Sequence, residues 1–397
     1  MTILRPTWAE IDLKAIQENF DWISQLVGPD TDVMGVIKAD AYGHGAAAVA
    51  RVLEERGIRS LGVSSLDEAL ELRRFGIQSP ILVLGSVLPD LHPVSGDPLL
   101  PTIEFTVCTV EVAKVLQQEA HKQQRPFLIH VKVDTGMGRL GVWYEQAARW
   151  IGQLLEFDGI QLEGIYTHFA SVDEGELHTT LEQVGRFAWL LEMLEVQRIS
   201  VKYRHAANSL AAVRFPAARF NRIRPGILLY GVWPTSGTLA ESANTFIKPA
   251  FSLKTRIVFL KQTPAGRSLG YGHTFTTSRS TRIATLPIGY ADGYPSSLSN
   301  HAWVLIRGSR APVVGRVSMD QTLVDVGHIP EVRVGDEVVL IGGQQEEQIL
   351  VEEVSRWAER IPYELLCGIT DRVPRVYLTG RESAEKVEYQ GTEADGV

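Results

Sequence analysis

The sequence has almost no cysteine. Cys108 and Cys367 are its two, and they form no CxxC pair. That excludes a metal knuckle and a disulfide framework, and it fits a reducing compartment. No basic block occurs and the formal net charge is -8, so the charge pattern gives no sign of nucleic-acid binding. No run approaches the roughly 18 apolar residues of a membrane span. The N-terminus, "MTILRPTWAEIDLKAI", lacks the apolar centre of a secretory signal. The expectation is a cytoplasmic protein with no membrane partner. Internal repeats beyond strand–helix alternation and low-complexity tracts are missing too.

What is there is a chain of 397 residues, 45% of them hydrophobic, long enough for two or three domains with an ordinary core. Its first part alternates short apolar runs with longer amphipathic ones. Candidate strands are 33–38, 61–65, 81–86, 103–108, 127–133, 162–169, 200–206 and 222–231. Helical patterns lie between most of them. "GAAAVARVLEERG" and "LDEALELRRFG" end in a glycine stop, and "TLEQVGRFAWLLEMLEVQ" has 3.6-residue periodicity. Alternation implies a parallel sheet, and eight units is the count that closes a (β/α)8 TIM-type barrel. An open doubly wound sheet satisfies the alternation alone equally well. After about residue 245 the rhythm becomes short β-rich runs broken by Gly, Pro and Ser, which predicts a C-terminal mainly-β domain. The expected layout is an α/β barrel over 1–245, a β domain over 246–379, and a disordered acidic tail over 380–397.

The stretch "DVMGVIKADAYGHG" (32–45) draws attention first, because an apolar strand ends in Lys38 with Tyr42, Gly43 and Gly45 behind it. One reading is a solvated lysine where a strand meets water. The other is a nucleophilic amine: strand C-termini face a barrel's active site, and partial desolvation there would lower the amine's pKa. The glycines let the backbone approach a ligand closely. That chemistry suits a Schiff base with an aldehyde, and the common biological one is pyridoxal 5'-phosphate (PLP).

"VIKADAYGHG" closely resembles the PLP-lysine motif of alanine racemases, fold-type III PLP enzymes. So do "TWAEIDLKAI", "VKVDTGMGRLG", "THFA", "HAANS", "RPGILLYG", "GYGHTF", "IGYADGY", "VSMDQ" and "DRVPRVY", in family order across nearly the whole chain. The resemblance implies a barrel followed by a β domain, and PLP-dependent interconversion of L- and D-alanine, an isomerase reaction supplying D-alanine for cell-wall peptidoglycan. It implies no metal. It also implies a head-to-tail homodimer in which the β domain of one chain caps the barrel of the other.

Residue by residue, the resemblance makes Lys38 the PLP lysine and one of two opposed bases, and Tyr271 the second, acting in trans. A lone tyrosine in a β domain is ordinarily packing. A phenol loses its proton only near pH 10 or so, so as a base it needs nearby positive charge or a hydrogen-bond chain. Arg224 is placed against the pyridine nitrogen, where it donates but cannot give up its proton, which weakens the electron sink. His168 is the candidate link to Arg224. Tyr42, Asn208, Ser209 and the backbone of Gly226 and Ile227 are expected around the cofactor, the last four where barrels hold phosphates. Arg139 is expected at the substrate carboxylate or a cofactor oxygen, and the backbone of Met319, also in trans, near the substrate carboxylate. Lys132 matches a position carbamylated in many relatives. One departure is Asp371, where some family members carry a phosphate-contacting tyrosine. Two other functions compete: a broader amino-acid racemase acting on serine as well, decided by the pocket near Tyr271, Tyr290 and Met319, and a PLP-carrier protein, which would resemble the first half alone.

Overall fold

The computed structural model describes residues 5–88, 94–172, 177–234 and 247–379. The expected tail over 380–397 lies outside the described residues. The chain divides into two compact units: residues 19–41 with 46–229, and residues 1–18 with 42–45 and 230–397.

The first unit is the barrel. Its strands are β2 (Asp32–Val36), β3 (Ser60–Val63), β4 (Ile81–Ser86), β5 (Ile103–Val107), β6 (Phe127–Asp134), β8 (Ile160–Tyr166), β9 (Tyr203–Asn208) and β10 (Arg222–Arg224), after β1 (Thr7–Asp12) of the other unit; a short β7 (Val142–Trp143) sits on β6. All pair in parallel. β5 pairs with β6 and β10 with β2, so eight strands close a ring. Each matches one of the eight runs read from the sequence, although the last is shorter than its run and continues as a 3-10 turn, Ile227–Tyr230. The expected helices occupy Ala46–Glu55, Leu66–Arg74 and Leu177–Val196. The first two are followed by Gly57 and Gly76 at φ +85° and +86°, a left-handed conformation that suits glycine. Ser65 and Glu68 form a capping box at the start of Leu66–Arg74.

The second unit is mainly β. β11 (Phe251–Arg256), β16 (Trp303–Ile306), β17 (Ser309–Pro312), β19 (Glu337–Gln344), β20 (Glu347–Ile349) and β21 (Arg375–Leu378) form one sheet with β1. β1 lies between β11, antiparallel, and β21, parallel: Ala9 faces Leu253 on one side and Arg375 on the other. β12 (Phe259–Thr263), β15 (Thr281–Leu286) and β18 (Thr322–Asp325) form a second sheet; β13 (Ser268–Leu269) and β14 (Phe275–Thr276) form a hairpin. The interior is apolar, with Leu253, Ile283, Leu286, Val304, Val338 and Leu340 fully buried. Among the described residues, no helix is long and apolar enough to cross a membrane.

Candidate active site

Strand β2 stops at Val36, and the chain turns left-handed behind it. Ala39, Asp40, Ala41 and Tyr42 have φ between 51° and 55°. A left-handed turn costs L-residues roughly 1–2 kcal/mol each, so local contacts must hold it. Glu68 Oε1 accepts from the Ala39 N–H at 2.8 Å, Asp40 Oδ1 accepts from the Ala46 N–H at 2.7 Å, and Ala41 N–H donates to the Ile37 carbonyl at 2.9 Å. Lys38 opens this turn and is exposed. The partial desolvation expected of it is therefore not seen in the structure, where the residue is exposed. The lysine's charge is nonetheless felt at His168.

Arg224, on β10, is buried. Its Nη2 donates to the carbonyls of Thr167 (2.8 Å) and Ala206 (3.0 Å) and to His168 Nδ1 (3.3 Å); its Nη1 donates to His205 Nδ1 (3.0 Å). Nε takes part in none of these bonds. Burial pulls its pKa down to about 10, with the Tyr166 phenol opposing, so it stays cationic at neutral pH. His168 is held well below the usual histidine range by burial and by Arg224, Lys132, Arg139 and Lys38. It is neutral, and because its Nδ1 accepts from Arg224, its proton is on Nε2. Lys132, on β6, is buried with its ammonium 4.3 Å from the Tyr166 ring centre. Burial and the charges of Arg224 and Arg139 push its pKa well down. Arg139 is exposed on the loop after β6.

Asn208 caps the short helix Ser209–Arg214, its side chain accepting from the Ala211 N–H. Ser209 is buried, and its Oγ accepts from the Gly226 N–H at 2.9 Å and more loosely from Leu228 at 3.4 Å. The Gly226 N–H is thus engaged, and the serine hydroxyl keeps its proton to donate.

In the β unit, Tyr42 is buried against Tyr230 and Tyr363, ring centres 5.1 and 5.9 Å away. The glycines after it are spatial requirements. A Cβ on Gly43 would lie 2.5 Å from the Leu366 carbonyl oxygen, and one on Gly45 would lie 1.8 Å from the Tyr377 hydroxyl. Tyr271 sits at the tip of the β13–β14 hairpin between Gly270 and Gly272, both at φ +69°, and is 73% exposed. The hairpin stands on Leu269, Ile283 and Val314, with Phe275 packed against them. Met319 is 52% and Tyr290 48% exposed. Their loops are tied together: Tyr290 N–H donates to the Ser318 carbonyl, and Ala291 N–H to that of Met319, each at 3.0 Å.

Sequence reasoning missed a set of buried polar residues inside the barrel: Glu104, His130, Tyr166 and His205. The signal was available. "IEFTVC" and "FLIHVKV" place a carboxylate and an imidazole inside otherwise apolar strands, and His130 and Lys132 share one face by the two-residue period. Tyr377 was also missed, within a block already quoted.

The site thus gathers a lysine, a buried arginine and a neutral histidine on a parallel barrel that is joined in sequence to a mainly-β domain. The alanine racemase N-terminal domain model matches residues 11–234 and the alanine racemase C-terminal domain model residues 250–377. The chain is 45% identical to the alanine racemase of Halothermothrix orenii over 94% of its length and 97% of the relative's. Against that of Desulforamulus reducens it is 45% identical over 94% and 99%. Among solved structures it resembles alanine racemase from Clostridium difficile, with TM-score 0.87, 37% identity, and coverage of 95% and 97%. It also resembles the alanine racemase of Bacillus anthracis with bound L-Ala-P, with TM-score 0.85, 36% identity, and 98% of each chain covered. The chain belongs to the alanine racemase family and is an enzyme, an amino-acid isomerase.

Proposed function

We propose that this protein interconverts L-alanine and D-alanine with pyridoxal phosphate by a two-base mechanism, supplying D-alanine for peptidoglycan in the cytoplasm. The observation that carries the reading is Arg224, a buried guanidinium fixed by bonds to β9 and to the segment after β8, with its Nε outside those bonds, beside a neutral histidine. The donor set fits the cofactor: a cation that donates without releasing its proton, a serine hydroxyl with a proton to give, and an amine at the rim. When bound, the cofactor would hold the amino acid's nitrogen and draw electrons from its Cα.

The remaining work belongs to this chain's residues. Arg224 would donate to the ring nitrogen. Ser209 and the Ile227 N–H would hold the phosphate, with Gly226 supporting Ser209, Asn208 setting the helix that carries it, and Tyr42 contributing its hydroxyl. The amine of Lys38 would move a proton at Cα on one face. Tyr271 of the partner subunit would do so on the other, which its exposure in a single chain supports. The His168 Nε2–H would bond that phenol's oxygen and help it carry negative charge. Arg139 and the backbone N–H of the partner's Met319 would orient the substrate carboxylate. Burial and the charges of Arg224 and Arg139 push the Lys132 pKa down, toward the free amine that takes up CO2; a carbamate there would give Arg139 an anionic partner. The match of the C-terminal domain argues against a carrier protein, and the L-Ala-P bound by the Bacillus anthracis relative supports alanine as substrate. The test is to load the protein with the cofactor and follow L-alanine by circular dichroism. The signal should decay to zero; a constant signal would overturn the reading.

A further inference from the structure

Four side chains run through the barrel interior in a line. Arg224 Nη1 lies 3.0 Å from His205 Nδ1, His205 Nε2 lies 2.9 Å from His130 Nδ1, and His130 Nε2 lies 3.1 Å from Glu104 Oε2. They come from four strands, β10, β9, β6 and β5, and all four are buried. A guanidinium only donates, so the arginine end fixes the direction of every bond. His205 must accept at Nδ1, which puts its proton on Nε2. His130 must then accept at Nδ1 and donate from Nε2, and the carboxylate of Glu104 receives.

The charges agree with that order. Burial and Arg224 hold His205 well below the usual range. Burial lowers His130 as well, against the pull of Glu104. Glu104 ends below its ordinary value although burial opposes, because His130 donates to it. The chain therefore begins in a cation, passes through two neutral imidazoles and ends in an anion. The rings are clamped for the purpose. Tyr166 stacks on His205 and Tyr203 on His130, each pair within 7° of parallel. Gly164 supplies the space: a Cβ there would lie 2.2 Å from His130 Nδ1. Arg222, Lys132, Lys202 and Glu163 are the other charged groups that act on this chain.

We propose that Glu104, His130 and His205 are positioning residues that relay a buried negative charge to Arg224 through a single-direction hydrogen-bond chain, holding the guanidinium charged and fixed in orientation. The role in turnover rests on the cofactor reading above; the relay itself does not. Removing the anion from the far end should loosen the near end, two imidazoles away. A residue that merely filled space would transmit nothing.

The test reads histidine tautomers in the holoenzyme by nitrogen NMR after 15N-histidine labelling, with signals assigned from His205→Asn and His130→Asn. In the native protein both rings should be neutral with the proton on Nε2. A protonated ring, or a proton on Nδ1 of either, would overturn the proposal without need of any variant. Glu104→Gln keeps the shape and an accepting oxygen but removes the charge. It should shift the His205 resonances as well as those of His130, and lower kcat roughly tenfold with little change in KM, the scale of one weakened charge-assisted hydrogen bond. Unchanged His205 resonances in that variant would overturn the relay. Should Glu104→Gln fail to fold, Gly164→Ala perturbs the same ring from its open side, and His205 must again respond. Native tautomers as expected in a protein that never racemises alanine would sink the function and leave the relay standing.

Discussion

The barrel buries a set of polar residues bonded to one another, whereas Tyr271, Tyr290 and Met319 of the β unit stand in the open. Glu104, His130, Lys132, His205 and Arg224 are all nearly inaccessible, and each is neutralised, paired or pressed by a neighbour. Tyr271, Tyr290 and Met319 lie on loops above an ordinary apolar core and are 48–73% exposed. One region excludes water and fixes the protons of its buried line. The other presents groups whose environment has to come from elsewhere. The homodimer with a shared site proposed above would reconcile the two, and the contrast can be attacked experimentally.

The largest effect should come from Lys38→Ala. Cofactor retention and the visible absorption of the loaded protein should vanish, and racemisation should fall beyond the roughly 10⁴-fold reach of a single lost general base. Tyr271→Phe should keep the absorption but lose about 10²–10⁴-fold in kcat; full activity would end the two-base scheme. Mixing these two inactive proteins under conditions that exchange subunits should restore part of the activity, because one hybrid site regains both groups. No recovery would count against sharing.

Acid should separate the regions more gently. His130, His168 and His205 are held neutral in the folded barrel, with pKa values lowered from 6.5. The unfolded chain binds protons at these residues first, so stability is complete above about pH 6.5 and is lost as pH falls below it, by up to about 1.4 kcal/mol per pH unit for each histidine. Hydrogen exchange between pH 7.5 and 5 should show barrel strands losing protection before those of the β unit. Equal loss would mean the buried histidines do not dominate. The smallest effect is Ala39→Gly. Ala39 is exposed at φ 52°, and glycine should relieve its strain, stabilising by up to ~1 kcal/mol in urea unfolding.

Much of this was legible in the sequence, for identifiable reasons. A parallel strand buried on both faces announces itself as a short apolar run, which is why all eight barrel strands could be read. Lys38 stood out by its place at the end of an apolar strand, but the roles of Arg224 and Tyr271 came from resemblance to a family, since nothing in a lone tyrosine at position 271 distinguishes it from packing. Long-range pairing was not legible: Thr7–Asp12 looks like any edge strand, and its place between Phe251–Arg256 and Arg375–Leu378 depends on residues far along the chain. The bond order from Arg224 to Glu104 was hidden too, because direction arises only when the four strands bring one donor-only group to the end of the line. The left-handed stretch after Lys38 runs against propensity altogether, since two of its four residues are alanines.

Those four residues occupy a backbone region that mirror symmetry assigns to D-amino acids. A protein whose family exchanges the two hands of alanine thus carries Lys38 at the head of a short piece of mirror-image helix built from the ordinary hand. In a semisynthetic chain, D-alanine at position 39 would sit where L-alanine is strained, and the ribosome's sole approximation to it is glycine.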